Sequence, residues 1–125
     1  MPNETRARIK GIGHHVPEKV LDNAYFESIV ETSNDWIIER TGIRERRQSR
    51  PDEAASDLAT PAAQKALADA GLSAEEIDLI ICATVTPDFL FPSTACVIQD
   101  KLGAKNAAAF DLSAGCSGFL SLIHI

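Results

Sequence analysis

Three short segments, residues 8–13, 79–85 and 107–112, have the hydrophobic pattern of β-strands. The second runs Leu-Ile-Ile-Cys-Ala-Thr-Val without a charged position, and the third is small and apolar at nearly every position. Apolar runs of this length that contain β-branched residues are typical of strands buried on both faces of a parallel sheet. The pattern therefore predicts three strands, the last two of them in the interior of a sheet.

Helical patterns occupy the intervals between these strands. The longest, residues 54–70, is rich in alanine and ends at a glycine, and Pro61 is predicted to kink or interrupt it. Shorter helices are predicted over residues 23–30, 36–40 and 93–102, with side chains suited to cap a first turn at each start. Strands that alternate with helices predict an α/β fold, with a mostly parallel sheet and helices on both faces.

The segment that follows the third strand has the strongest chemical signal in the chain. Residues 113–118 are all small, and an apolar helix is predicted to begin near Phe119, which places Cys116 at a helix N-terminus. The positive end of a helix and its free N–H groups favour a thiolate, which is the nucleophilic form of cysteine. The same N–H groups can stabilise an oxyanion during acyl transfer. The alternative interpretation is a small buried cysteine without chemistry.

The other cysteines, Cys82 and Cys96, lie within a predicted strand and a predicted helix, and are expected to be structural. The total of three cysteines is odd, and no pair has CxxC spacing. Neither a disulfide framework nor a zinc site is therefore expected. No group of histidines and carboxylates has the spacing of metal ligands, so we expect no metal.

Composition and charge narrow the class of protein. The 125 residues are 45% hydrophobic and 24% charged, as in an ordinary globular domain. A net charge of −6 argues against general nucleic-acid binding, which requires a basic surface. No apolar run approaches the roughly 18 residues that span a bilayer. The charged N-terminus is not followed by the apolar stretch of a signal peptide, so no membrane association and a cytoplasmic location are expected.

One basic cluster interrupts the acidic chain, between Arg40 and Arg50. It is interpreted either as a solvated loop or as a docking site for an anionic substrate such as a phosphate-bearing carrier. Trp36 and Arg40 are four residues apart on one predicted helix, and therefore on one face of it. They are interpreted either as core packing or as a ring and a guanidinium that grip a flat, phosphorylated ligand.

The glycines at 11 and 13 form a Gly-Ile-Gly pair at the end of the first predicted strand. The third glycine of a dinucleotide-binding fingerprint is missing. Nucleotide binding through this motif is therefore not predicted.

Three separated segments together resemble one enzyme family. Residues 32–46 (TSNDWIIERTGIRER), 83–93 (ATVTPDFLFPS) and 110–119 (FDLSAGCSGF) are similar, in order and in register, to signatures of β-ketoacyl-[acyl-carrier-protein] synthase III. The resemblance runs from about Ile9 to Phe119. It implies a thiolase-like layered fold that is built from two similar α/β halves.

The resemblance also implies the initiating condensation of type II fatty acid synthesis. In that reaction an acyl-coenzyme A transfers its acyl group to the cysteine that Cys116 matches, and malonyl-acyl-carrier protein then loses carbon dioxide and attacks the acyl-enzyme. Trp36 matches the residue that stacks on the adenine of coenzyme A, Arg40 one that contacts its phosphate-bearing portion, and Thr32 a residue lining the same site. Phe91 matches a residue near the acyl pocket and the dimer interface. A homodimer is implied, and no cofactor beyond the thioester substrate.

Residues 1–125 are expected to form the N-terminal part of such a condensing-enzyme domain, with the C-terminal half, including the catalytic His and Asn, absent. A polypeptide of these residues alone is expected to aggregate and to be inactive in condensation, because half of its core partners would be missing. The alternatives are a related coenzyme A-primed enzyme of polyketide or quinolone-type synthesis, and an inactive fragment that only binds a partner chain.

Overall fold

The computed structural model describes residues 7–124, and they form two compact units. Residues 16–53 make one unit, which we call the tryptophan unit because it carries Trp36. Residues 7–15 and 54–124 make the other, which we call the cysteine unit because it contains all three cysteines. Each unit has its own pair of hydrogen-bonded strands.

The tryptophan unit is built on an antiparallel strand pair with two helices between the strands. Its elements in chain order are β1 (Lys19–Asp22), α1 (Asn23–Glu27), α2 (Asn34–Thr41) and β2 (Glu45–Gln48). Helix α2 begins after Ser33, whose hydroxyl accepts a hydrogen bond from the Trp36 N–H at 3.1 Å, as the capping pattern predicted. It ends at Gly42, which has a φ of 71°.

Asn23 is a buried residue whose side chain forms hydrogen bonds to several parts of this unit. The prediction that it caps α1 is wrong. Asp22 caps α1 instead, and its carboxylate accepts from the Tyr25 N–H at 2.9 Å. Asn23 is buried and donates to Asn34 and to the Ile43 carbonyl, each at 3.0 Å, and it accepts from the Arg46 guanidinium at 2.6 Å. A buried amide needs several partners, and this one connects α1 with α2 and β2.

The basic segment contains a strand, β2, rather than the solvated loop that one interpretation of the cluster predicted. Its sequence, Glu-Arg-Arg-Gln, has no apolar position, so its pattern contains no strand signal. Main-chain pairing with β1 determines its conformation, with Val20 opposite Arg47.

The cysteine unit contains the remaining elements, whose order agrees with the predicted alternation of helices and strands. They are α3 (Ala55–Ala70), a 3₁₀ turn (Ala74–Glu76), β3 (Leu79–Ala83), α4 (Thr94–Leu102), β4 (Ala108–Leu112) and α5 (Ser117–His124). Strands β3 and β4 are parallel, with Cys82 opposite Asp111 and Ala83 opposite Leu112. The fully buried apolar positions of this unit, including Ala95, Ile98 and Ala104, lie on or next to α4.

The prediction for Pro61 was a kink or a break, and helix α3 continues through this residue, so there is no break. A proline inside a helix removes one main-chain hydrogen bond. Extensive packing of α3 against α4 within the same unit offsets such a loss.

Residues 8–13 are not a strand in the described structure, so that prediction is wrong there. The segment lies along α3: the Ile12 N–H donates to Asp69 at 3.0 Å, and the Lys65 ammonium donates to the His14 carbonyl at 3.0 Å. Its glycines lie against the helix backbone, and a Cβ built at Gly13 would fall 2.3 Å from the Ala62 carbonyl oxygen. Close packing on a helix therefore explains the Gly-Ile-Gly pair.

Candidate active site

Cys116 lies in the turn that joins the carboxyl end of β4 to α5. Gly115 directly before it has a φ of 54°, a left-handed conformation that favours glycine. The turn is closed by two hydrogen bonds, from the Ser117 hydroxyl to the Ala114 carbonyl at 2.7 Å and from the Gly118 N–H to the Gly115 carbonyl at 3.0 Å. Cys116 is exposed and immediately precedes the helix, so the predicted position at a helix N-terminus is confirmed.

The first turn of α5 packs directly on β3. Gly118 is buried, and a Cβ built there would lie 3.1 Å from the Ala83 Cβ. That separation is shorter than ordinary van der Waals contact, so a glycine is needed for the helix to approach the strand this closely. The contact holds Cys116, two residues earlier, above the carboxyl end of the parallel strand pair.

An open cavity of about 780 Å³ adjoins Cys116 within the cysteine unit. Apart from the thiols of Cys116 and Cys82, its walls are small or aliphatic side chains and one ring, among them Ala59, Ile80 and Phe119. A thiol at the edge of an apolar cavity is suited to carry an aliphatic group out of water. The arrangement supports covalent chemistry at Cys116 more than a role as core filler.

The other two thiols occupy structural positions. Burial, followed by the negative charges of Asp111 and Asp88, raises the pKa of Cys82 above its ordinary value. Cys96 accepts a hydrogen bond from the Ser93 hydroxyl at 3.1 Å and faces the Ala109 carbonyl at 3.8 Å. Neither thiol is as accessible as Cys116.

These differences predict selective labelling. Iodoacetamide at neutral pH is expected to modify Cys116 first, with Cys82 slower by about tenfold or more, because only the thiolate reacts and the raised pKa of Cys82 reduces its thiolate population. The rate at Cys82 should rise only at a more alkaline pH than for an ordinary thiol. Peptide mapping after timed quenching measures each rate, and equal rates at all three cysteines would contradict the prediction.

Trp36 and Arg40 lie on one face of α2, as their spacing predicted. The Arg40 guanidinium lies 5.8 Å from the centroid of the indole ring, within the range of a cation–π contact. Trp36 is 55% exposed, so its ring is not packed in the core of the described residues. Thr32 and Trp36 line a surface cavity of about 240 Å³ together with Glu31 and Ser33.

Some arginines of the basic cluster are held by contacts within the unit, and others are available to bind an anion. Arg46 contacts the Phe26 ring at 4.4 Å in addition to its bond with Asn23, and Arg47 and Arg50 form ion pairs with carboxylates nearby in sequence. Within the described part of the chain, Arg40 and Arg44 form no ion pair. Any anion-binding role of the cluster is therefore concentrated at its N-terminal end.

Phe91 lies on the connection between β3 and α4 and is 90% exposed. It follows Leu90, also fully exposed, and precedes Pro92 through a cis peptide bond. It is not among the residues that line the cavity next to Cys116. Its predicted contribution to an acyl pocket or a dimer interface stays a prediction.

Sequence reasoning overlooked two carboxylates, Asp88 and Asp111, that interact with the Cys82 thiol. Asp88 and Asp111 accept hydrogen bonds from the first turns of α3 and α4, respectively. A carboxylate inside the otherwise apolar run 107–112 was the available signal for Asp111. Over residues 7–124, no cluster of three or more potential ligands is arranged for a metal ion, and no helix is long and apolar enough to cross a bilayer.

Comparison with solved structures defines the class of fold. 3-Oxoacyl-[acyl-carrier-protein] synthase III from Aquifex aeolicus VF5 superposes with a TM-score of 0.89 at 51% identity, over 94% of this chain and 38% of that one. The priming β-ketosynthase of the R1128 polyketide pathway superposes with a TM-score of 0.88 at 35% identity, over 97% and 38%. The chain therefore has the thiolase-like fold of the condensing enzymes, as part of that fold.

Sequence similarity relates the chain to one group of these enzymes. The β-ketoacyl-[acyl-carrier-protein] synthase III of Caldanaerobacter subterraneus subsp. tengcongensis is 57% identical over 120 residues, which are 96% of this chain and 36% of the relative. No family model matches the chain. The chain is homologous to β-ketoacyl-[acyl-carrier-protein] synthase III, and it spans about a third of the length of the curated relatives it matches.

Proposed function

We propose that the protein containing these residues catalyses the initiating condensation of fatty acid synthesis. Acyl-coenzyme A and malonyl-[acyl-carrier protein] are converted to 3-oxoacyl-[acyl-carrier protein], coenzyme A and carbon dioxide. The observation that carries the proposal is the position of Cys116, which is exposed at the start of α5 beside an apolar cavity, in a segment homologous to this family. We expect no cofactor, because the thioester already activates the acyl group.

In the first half of the reaction, the Cys116 thiolate attacks the thioester carbonyl. A new carbon–sulfur bond forms, the tetrahedral intermediate collapses, and the bond to the coenzyme A sulfur breaks as coenzyme A leaves with the electron pair. The positive end of α5, together with N–H groups at its start, stabilises the developing oxyanion in this proposal. The adjoining cavity then holds the acyl chain away from water.

In the second half, malonyl-carrier protein loses carbon dioxide, and the resulting carbanion attacks the acyl carbonyl on Cys116. The thiolate is released and the cycle repeats. The family resemblance assigns assistance in decarboxylation to a His and an Asn beyond the portion that this chain matches. The described residues therefore supply the nucleophile for acyl transfer, which is the first half of the reaction.

The surface of α2 is the proposed docking site for coenzyme A. The exposed face of Trp36 offers a stacking surface for adenine, Arg40 is available for a phosphate, and Thr32 borders the same surface cavity. The Trp36 ring would stack on the flat adenine, and the Arg40 guanidinium would pair with a negatively charged phosphate of the same nucleotide.

Replacing Trp36 with alanine is expected to raise the KM for acyl-coenzyme A about tenfold, which corresponds to the loss of about 1.4 kcal/mol of stacking. The kcat should change little, because the ring lies on a docking surface and not at the reacting carbonyl. Trp36→Phe, which keeps an aromatic face, is the matched control and should lose less. An unchanged KM in the alanine variant would show that Trp36 does not bind the donor.

Polyketide priming is the second candidate, because a priming ketosynthase shares the fold at 35% identity. Fatty acid synthesis is favoured because curated synthases III reach 59% identity over nearly the same residues. We further propose a cytoplasmic homodimer, with the exposed apolar side chains at Leu90 and Phe91 in its interface.

The proposal is tested by intact-protein mass spectrometry after incubation of the full gene product with acetyl-coenzyme A. The expected result is a mass gain of one acetyl group that maps to Cys116. Adding malonyl-carrier protein should then remove the adduct and yield the 3-oxoacyl product. A folded protein that acquires no adduct from acetyl, branched or longer donors would overturn the assignment.

A further inference from the structure

The carboxylate of Asp111 ties the end of β4 to the start of α4. Its two oxygens accept hydrogen bonds from the Thr94 and Ala95 N–H groups, each at 2.8 Å. Both bonds are charge-assisted, and the negative charge lies at the positive end of the helix. A carboxylate that occupies both oxygens in this way fixes its own strand relative to the helix.

Asp88 makes a second bridge of the same kind. One of its carboxylate oxygens accepts from the Ser56 N–H at 2.9 Å, in the first turn of α3. Its own main-chain N–H donates to the Thr94 hydroxyl at 3.0 Å. Thr94 has no exposed surface, so its hydroxyl can accept this bond without competition from water.

Thr94 joins the two bridges, because its N–H donates to Asp111 while its hydroxyl accepts from Asp88. The resulting relay, Asp88–Thr94–Asp111, connects the N-termini of α3 and α4 with the carboxyl end of β4. Both carboxylates also raise the pKa of Cys82, which agrees with their position near the carboxyl end of the strand pair.

The relay ends five residues before the nucleophile. Asp111 pairs with Cys82 across the sheet, the next residue pairs with Ala83, and Ala83 receives the buried Gly118 of α5. A displacement at the end of β4 is therefore transmitted directly into the turn that carries Cys116. Among residues 7–124, two short-range hydrogen bonds close the turn itself.

We propose that Asp88, Thr94 and Asp111 are positioning residues that set the placement of the Cys116 thiol for acyl transfer. The effect of these residues on acyl transfer rests on the proposed function. Their effect on the position of the Cys116 thiol does not depend on it. The relay holds the strand end against two helix N-termini, and its loss leaves Cys116 in a broader range of positions. Catalysis depends steeply on such placement, because a shift of about 1 Å can cost a hundredfold in rate.

The test compares Thr94→Val with Thr94→Ser in the full gene product. Valine has nearly the same shape but cannot accept from the Asp88 N–H, whereas serine keeps the hydroxyl. Thr94→Val is expected to lower the kcat of acetyl transfer to Cys116 about tenfold or more with little change in the KM for acetyl-coenzyme A. Thr94→Ser should recover most of that loss.

Gln99→Met is the matched control for stability. The Gln99 amide donates to the Ala104 and Ala107 carbonyls at 3.2 and 2.7 Å, at the opposite end of α4 from the relay. Its loss should lower Tm to a similar extent and leave the acetylation and iodoacetamide rates of Cys116 unchanged. Equal rates of Cys116 acetylation in Thr94→Val, Gln99→Met and the unaltered protein would overturn the proposal.

A second variant covers the case in which Thr94→Val does not fold. Asp111→Asn keeps the shape but replaces one acceptor oxygen with an NH₂ group, so one bond to α4 is lost. It should slow acetylation of Cys116 and accelerate alkylation of Cys82, whose pKa falls when the negative charge is removed. Unchanged rates at both thiols would overturn the proposal. If iodoacetamide modifies Cys116 of the unaltered protein but acetyl-coenzyme A never acetylates it, the proposed function is refuted. The iodoacetamide rates of the variants at Cys116 would then test the positioning role by themselves.

Discussion

Replacing Cys116 with alanine is expected to abolish acyl-enzyme formation and to lower the condensation rate at least about a thousandfold, because neither of the other two cysteines in residues 7–124 is suited to replace it as covalent acceptor. Cys82 is half-buried with a raised pKa, and Cys96 is hydrogen-bonded on α4. The mass gain from acetyl-coenzyme A should disappear completely. Binding of coenzyme A, measured by calorimetry, should change little, because the proposed docking residues lie on α2 or just before it.

Cys96→Ala is the matched control for this experiment. It removes a thiol of the same unit that does not line the cavity next to Cys116. Its acetylation should match that of the unaltered protein, at a stability cost of about 1 kcal/mol for the lost packing and hydrogen bond. Acetylation that persists in Cys116→Ala, mapped to another side chain, would refute the nucleophile assignment.

Replacing Gly13 with alanine is expected to be among the most destabilising single changes in the cysteine unit. The added methyl would lie 2.3 Å from the Ala62 carbonyl oxygen and 2.4 Å from the Ala66 main-chain nitrogen. Both are backbone atoms of α3, so no side-chain rotation relieves the overlap. The free energy of unfolding should fall by roughly 3 kcal/mol, the upper part of the range for overpacking, as measured by urea denaturation.

Two comparisons separate steric overlap from other glycine effects. Gly103→Ala introduces a side chain at a φ of 71° with no atom within 4 Å, so it should cost only about 1–2 kcal/mol of left-handed strain. The double variant Gly13→Ala/Ala62→Gly should not recover stability, because the overlapping atoms belong to the main chain. A Gly13→Ala variant as stable as Gly103→Ala would show that the 8–13 segment shifts freely on α3.

Some elements are determined by local patterns, and these agreed with prediction. Strand β3 has a continuous apolar run, α4 has a serine cap and a terminal glycine, and the small residues before Cys116 permit its turn. Each signal lies within a few residues of the element it specifies. Local prediction was wrong where pairing decided the outcome, as at β2 with no apolar residue and at residues 8–13, which lie along a helix without a neighbouring strand in the described residues.

By itself, the sequence determined the α/β alternation, the helix-terminal cysteine and the shared face of Trp36 and Arg40, because spacing along one chain is enough to specify each. Only the tertiary structure separated Arg46, which is held by Asn23 and Phe26, from Arg40, which forms no ion pair among the described residues. It alone revealed the Asp88–Thr94–Asp111 relay. Hydrogen bonds between side chains and distant helix ends leave no periodic signal, because they depend on how separate elements pack together.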